Sequence, residues 1–263
     1  MSPDLNVDAA LDAYRLPLLP APPRVLQAVA DGVAPGEVRA AQDEAVGWLA
    51  AERPCPARAV RAPDGRVRVT CCTDLPGVTP AMIDWWFGWH LPSSARYRLW
   101  HPAAHVKAVV RDDRSARAQG RERYIGNESY VDEYIGRSLR RLTIAFVEPA
   151  AFGFDARASD AVTICANTSD RLLGGQGGSL VHHVVGTPGG AQMRSGFWLG
   201  EIRHRVPLID QGLGGLLNTR AMRRLIVPDR MALDLLQHCG EEMNHLARFL
   251  PSLYGAVRGP ASP

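Results

Sequence analysis

Several large classes of protein are excluded by what this chain lacks. Its five cysteines (Cys55, Cys71, Cys72, Cys165 and Cys239) form no C-x-x-C pair, which removes the common zinc-ribbon and thioredoxin-like readings. The odd count points to reduced thiols, and "MSPDLNVDAALDAYRLPLLP" carries acids early, with no charged segment leading into an apolar core. Cytoplasmic localisation is the expectation. No stretch approaches the ~20 apolar residues needed to span a bilayer. Charge of one sign is also missing: 30 basic and 27 acidic residues leave a formal +3, dispersed along the chain without the basic stripe a nucleic-acid surface requires. Lysine is nearly absent beside arginine, and with abundant Ala and Gly this suggests a GC-rich bacterial genome. There is no internal repeat and no low-complexity tail.

What is present is ordinary for a soluble globular protein: 263 residues, 46% hydrophobic and 22% charged. That length suits one large domain, or one domain with a smaller appendage. Residues 1–60 hold short helical patterns broken by prolines, "PPRVLQAVADGV" and "PGEVRAAQDEAVGWLAAE", the second with Val38, Ala41, Ala45 and Trp48 at helical spacing. "GRVRVTCC" then alternates like a strand. In "TPAMIDWWFGWHL", Thr79 is the expected N-cap and Pro80 the first helical residue. From 94 to 205 the chain reads mainly as strands and turns: "RYRLWHP", "HVKAVV", "LRRLTIAFVEP", "AVTICANTS", "SLVHHVVGTPGG" and "MRSGFWLGEIRH". "GLGGLLNTRAMRRLIVPDR" reads as a loop and a short helix, and a closing helix runs from about Asp229 to Leu250. A strand-rich middle and a long C-terminal helix indicate α+β, the helix lying across a curved antiparallel sheet.

The closing helix contains an anomaly. At ~100° per residue, Leu235, Leu236, Cys239, Met243, Leu246, Phe249 and Leu250 share an apolar arc. Asp234, Gln237, Glu241, Asn244 and Arg248 lie opposite, yet Glu242 falls inside the arc and His238 at its edge. Most His-x3-Glu pairs are solvated surface pairs. A buried carboxylate, by contrast, needs a cation or several donors. The i, i+4 spacing lets both side chains chelate one ion, with about two more ligands required from elsewhere.

The eight histidines supply candidates: His90, His101, His105, His182, His183, His204, His238 and His245. "YRLWHPAAHVKAVV" offers His101 and His105. In "NESYVDEYIG", Val131, Glu133 and Ile135 share one strand face by period-two alternation, while Asp132 and Tyr134 take the other. "LVHHVVG" sets His182 and His183 on opposite faces, so one faces a cavity and the other is expected to be a solvated surface residue. Trp85, Trp86 and Trp89 of "WWFGWH" read first as core or cavity wall; a flat aromatic ligand would let them serve as a stacking site as well.

Together, "PGVTPAMIDWWFGWH", "YRLWHPAAH", "VDEYIG", "LVHH", "MRSGFW" and "HCGEEMNHLARFLPSLY" resemble the phloretin hydrolase and 2,4-diacetylphloroglucinol hydrolase family, in order and over about residues 70–255. The resemblance implies a helix-grip fold like START and birch-pollen-allergen domains, with a helical extension at 1–60 and the catalytic domain at 61–263. It implies zinc-dependent hydrolysis of the carbon–carbon bond between an acyl group and a phenolic ring. By motif, the metal ligands would be His105, Glu133, His238 and Glu242, with His105 preferred over His101. Tyr97 and His182 would be catalytic, and Trp86, Phe197 and Arg194 would contact the substrate. Fe(II) or Mn(II) would also suit the ligand set. Two departures stand out: Gly196 where the family has an arginine, and Phe197 near a position where diacetylphloroglucinol enzymes carry a tyrosine hydroxyl. The partner expected is a small aromatic or polyketide substrate, with no nucleic acid and no membrane, and a homodimer is compatible with this reading. Two other classes fit the same residues: a metal-dependent cyclase or lyase tailoring a polyketide, and a non-catalytic carrier of aromatic ligands.

Overall fold

The computed structural model describes residues 11–50, 54–155, 161–171, 175–203 and 215–258. His204 and the first residues of the Gly/Leu-rich loop lie outside them. Among the described residues nine strands form one sheet: β1 (Val33–Pro35), β2 (Arg58–Arg61), β3 (Val67–Pro76), β4 (His105–Val110), β5 (Glu128–Ile135), β6 (Ser138–Val147), β7 (Ala161–Asp170), β8 (Gln176–Thr187) and β9 (Gly190–Arg203). Their order is β1-β2-β3-β9-β8-β7-β6-β5-β4, and all neighbours are antiparallel except β1 and β2. The helices are α1 (Pro23–Asp31), α2 (Ala41–Leu49), α3 (Pro80–His90), α4 (Ser94–Trp100), α5 (Gly215–Leu217), α6 (Arg220–Ile226) and α7 (Asp229–Arg258). The long α7 packs across one face of the sheet, the inner face. This is the helix-grip arrangement that the sequence implies.

Both faces of the central strands are covered. On the inner face Leu180, Val184, Met193 and Phe197 join Leu236, Met243 and Leu250 of α7 in the main core. On the outer face Val181, Cys165 and Trp198 pack with Ala41, Ala45 and Leu49 of α2 and with Phe152. Cover on both sides explains why β3 and most of β8 are buried almost without alternation, polar residues such as Arg68 and His183 included. The outer layer also holds a buried ion pair, Arg68 Nη1 to Glu44 Oε1 at 2.7 Å, and Trp198 Nε1–H donates to the same Glu44 oxygen at 2.7 Å.

The first 60 residues contribute more than helices, because β1 and most of β2 extend the sheet edge. Helix α1 lies directly on α7: a Cβ at Gly240 would stand 2.8 Å from Val25 Cγ1 and 3.2 Å from Ala21 Cβ. Only glycine permits so close an approach at that position.

Thr79 caps α3 as expected, its Oγ1 accepting from the Met82 N–H at 3.3 Å, with Pro80 at the first helical position. Two elements differ from the sequence reading. "RYRLW" is helical (α4) rather than a strand. Ser93 caps it by accepting from the Arg96 N–H at 3.4 Å, and the buried Arg96 donates to the Trp89 carbonyl at 3.1 Å while lying over the Trp89 ring. Local capping and burial of Arg96, Tyr97, Leu99 and Trp100 outweigh the apparent alternation. The last helix continues through Pro251 to Arg258, because Leu253 is buried in the core and Tyr254 meets the edge of Trp85. That packing offsets the hydrogen bond that Pro251 cannot donate.

Candidate metal centre and cavity

Three elements bring the predicted ligands together on the inner face. Helix α7 presents His238 and Glu242 one turn apart, both buried. At the start of β4, a bulge between His105 and Lys107 sets His105 opposite Glu133 of β5. Such a bulge redirects a side chain relative to a regular strand, and here it turns His105 inward. Glu133 lies on the buried face of β5 with Val131 and Ile135, as the period-two pattern requires.

The donor atoms converge. His105 Nε2 is 3.4 Å from His238 Nε2 and 3.5 Å from Glu242 Oε2, and His238 Nε2 is 3.6 Å from Glu242 Oε2. A tetrahedral ion with bonds of ~2.0–2.1 Å places its ligand atoms about 3.4 Å apart. The three side chains therefore have the spacing of a metal site. Glu133 stands at one side, its Oε2 3.7 Å from His105 Nε2, and accepts a hydrogen bond from the Tyr97 hydroxyl. The tautomer of His105 is fixed: its Nδ1–H donates to the Tyr97 carbonyl at 2.9 Å, leaving the Nε2 lone pair for the centre. The Tyr97 ring stacks flat on His105 at 3.8 Å.

The electrostatics of the cluster suit a bound cation. Burial, then the Glu133 charge, raises the Glu242 pKa well above its ordinary value. Burial also raises Glu133, against the opposing hydrogen bond from Tyr97. His238 is lowered to about 3 by burial and then by His101, and His105 is held well below its usual value by burial and then by His238. Carboxylates driven toward neutrality beside imidazoles kept unprotonated form an acceptor-rich cluster that a divalent cation would satisfy.

His101, the competing histidine, is committed elsewhere. Its Nδ1 accepts from the Ala104 N–H at 3.2 Å, so its Nε2–H points to Glu241 Oε2 at 3.1 Å. Its ring stacks on His238 at 4.7 Å. It supports the cluster rather than joining it.

Beside Glu133 opens a cavity of about 130 Å³, walled by Leu142, Ile144, Leu180, Phe197 and Leu235 among others. Its apolar walls suit the ring of a small organic ligand. Phe197 faces it as expected. His182 sits behind that wall, its ring 5.8 Å from Phe197 and its Nδ1 2.8 Å from Ser195 Oγ; burial lowers its pKa to about 3.

Three placements correct the sequence reading. Trp86 is wholly buried among Trp89, His90, Trp100 and Phe249 and does not line the cavity. Arg194 and Gly196 alternate with Ser195 and Phe197 and so lie on the outer face, where Arg194 Nη1 donates to the Leu49 carbonyl at 3.3 Å. A Cβ at Gly196 would stand 2.6 Å from Trp198 Cη2, so this position is shaped by the outer layer and not by the substrate. His183 does face away from His182, yet it is buried, bonded to Thr163 Oγ1 at 2.9 Å and packed on Phe154. The outer layer of α2 and residues 149–154 covers what was expected to be a solvated face. Arg140, also in the cavity wall, was missed. Its signal was legible: in "LRRLTIAF", Arg140 shares period-two spacing with Leu142 and Ile144.

Residues 59–255 match the family model described as the DAPG hydrolase PhiG domain. The chain is 32% identical over 199 residues to a 2,4-diacetylphloroglucinol hydrolase of Pseudomonas sp, covering 72% of this chain and 67% of that protein. The homologue from Pseudomonas protegens is 31% identical, with 64% of its length spanned. A phloretin hydrolase of Eubacterium ramulus is 29% identical over 209 residues, with 73% and 69% covered. The chain thus spans about two thirds of the length of these relatives. Among solved structures, Ara h 8.0201 aligns with a TM-score of 0.41 at 10% identity, covering 71% of this chain and 99% of its own. The Zhui aromatase/cyclase from Streptomyces sp. R1128 aligns at 0.38 and 13%, covering 75% and 98%.

Proposed function

The chain belongs to the DAPG hydrolase family, and from that premise we propose that it hydrolyses the carbon–carbon bond joining an acyl group to a phenolic ring. Water adds across the bond, so that the acyl group leaves as a carboxylic acid and the ring carbon takes a hydrogen. The observation that carries this reading is the convergence of His105, His238 and Glu242, with Glu133 joining them to an apolar cavity that it lines.

These four residues would hold one divalent ion, zinc by resemblance to the family. Such an ion supplies Lewis acidity toward an acyl carbonyl and toward water. The remaining work falls to the chain's own groups. Breaking the bond requires a proton at the ring carbon, and Tyr97 would supply one from Oη; burial and then the Glu133 charge keep that hydroxyl protonated, and a cation held by Glu133 would offset the charge and ease the proton's release. Glu133 accepts from that hydroxyl and fixes its direction. His182, neutral and buried behind Phe197, is the second proton carrier in this scheme. Phe197 and the aliphatic wall bind the ring and exclude water.

Turnover in ¹⁸O-water of a panel of acylphloroglucinols tests the reaction class. Hydrolysis places the label in the carboxylic acid product. Cyclised or eliminated products without label would make the protein a tailoring enzyme, and tight binding with no conversion of any panel member would make it a carrier.

The paired histidines separate catalysis from packing. His182→Ala is expected to lower kcat by about 100-fold or more with metal content retained. His183→Ala removes the Thr163 bond on the outer face and should lower Tm, by about 1 kcal/mol of stability, while kcat stays near wild type. Kinetics, metal analysis and thermal melts check this. The reverse pattern would place the proton carrier on the outer face.

Phe197 bears on specificity because it presents a ring without a hydroxyl to the cavity. Phe197→Tyr should raise kcat/KM for a diacylated phloroglucinol relative to its monoacyl analogue, by up to about tenfold for one hydrogen bond of ~0.5–1.5 kcal/mol. An unchanged ratio would remove this position from substrate discrimination.

A further inference from the structure

Arg140 is the one cation among the described residues that line the cavity. It lies on β6 directly across from Glu133, so it flanks the centre at the distance of a cross-strand pair. Its Nη1 is 3.6 Å from Asp170 Oδ2. Its Nη2 reaches only the Met231 thioether, at 3.0 Å, and a thioether is a weak acceptor. Its Nε is buried with no hydrogen-bond partner among the described residues. Nε and Nη2 form one edge of the planar guanidinium, the edge that binds two oxygens side by side. Here that edge is occupied by nothing stronger than sulfur, and a buried donor without an acceptor is costly.

We propose that the Nε/Nη2 edge of Arg140 recognises an ionised oxygen on the aromatic ligand, so that this cavity selects aromatic anions over their neutral counterparts. The inference rests on reading the cavity as the acyl-phenol site and adds the charge state of its ligand. An aryl carboxylate and a phenolate share the required chemistry. The apolar walls bind the ring, and the guanidinium supplies the single positive contact near the β5–β6 edge.

Isothermal titration calorimetry of the protein as purified tests this without turnover, so it can succeed or fail independently of the hydrolase assignment. One arm compares a hydroxybenzoate with the matching hydroxybenzamide. A second compares a nitrophenol ionised at neutral pH with its methyl ether. Wild type is expected to bind the anion at least about tenfold more tightly in one arm or both, and the arm that responds identifies the oxygen recognised. Arg140→Met should lower that ratio at least about fivefold relative to wild type, and Arg140→Lys should retain part of it, since the charge remains and the fork is lost. All ligands of the metal centre are intact in each variant, so direct ligation of a carboxylate by a metal contributes equally and cancels. Arg140→Gln replaces the methionine variant if the latter does not fold. No anion preference in wild type, or the same preference after loss of the guanidinium, overturns the proposal.

Discussion

Replacing Glu242 with glutamine is expected to strip the protein of its divalent metal and to lower kcat/KM by two orders of magnitude or more. Partners one shell removed from a metal already cost about 10–100-fold in affinity when lost, and Glu242 contributes an oxygen 3.5 Å and 3.6 Å from the two imidazole nitrogens. Glutamine keeps the volume and removes the charge, so folding and ligand binding are tested apart. The stability effect has a definite sign. In the metal-free protein Glu242 has a folded pKa well above its unfolded value, chiefly through burial. Its contribution to stability is therefore complete below the unfolded pKa and is lost as pH rises toward the folded one. At neutral pH the metal-free glutamine variant should consequently melt higher than metal-free wild type. Added zinc should reverse the order, raising the Tm of wild type by ligand linkage and leaving the variant unmoved. Metal analysis and melts with and without chelator read both effects. Wild-type metal content in this variant and in His238→Ala would dismantle the ligand assignment.

The parts of this architecture readable from sequence are those in which one residue type contradicts its local pattern. Glu242 in an apolar arc, Glu133 between Val131 and Ile135, and adjacent histidines in a strand all announce themselves by periodicity, because a buried charge needs a reason to be there. The cap at Thr79 and most strands of the sheet were legible for the same kind of reason: their chemistry is local. What escaped depends on layers the sequence does not display. Trp86 could be core or wall, and only the packing of Trp89, Trp100 and Phe249 around it decides. The outward placement of Arg194 and the burial of His183 are not legible, because nothing in "LVHH" or "MRSGFW" reveals that α2 covers the outer face. Helix α4 is hidden by its alternation. The motif favours His105 over His101, and the bulge at β4 supplies the physical reason, placing one ring in the centre while the other turns to Glu241.

Tyr97→Phe is expected to lower kcat by about 10²–10³-fold, within the range for a positioned proton donor, with KM and metal content close to wild type. The substitution removes one atom. The phenyl ring can keep its flat stack on His105, 3.8 Å away with planes 4° apart, and the backbone carbonyl of residue 97 still accepts from His105 Nδ1–H. The ligand geometry of His105 should therefore survive, and what is lost is the hydroxyl that donates to Glu133 and would deliver a proton to the ring carbon. Tyr97→Ala is the contrasting variant, because it removes the stacking platform as well and should lower metal content together with kcat. Metal analysis and steady-state kinetics on the pair separate the two roles. If the phenylalanine variant loses metal as the alanine variant does, Tyr97 acts by holding Glu133 and His105 in place. If it retains both metal and full kcat, the proton that cleaves the bond comes from elsewhere, and His182 becomes the group to which the step must be reassigned.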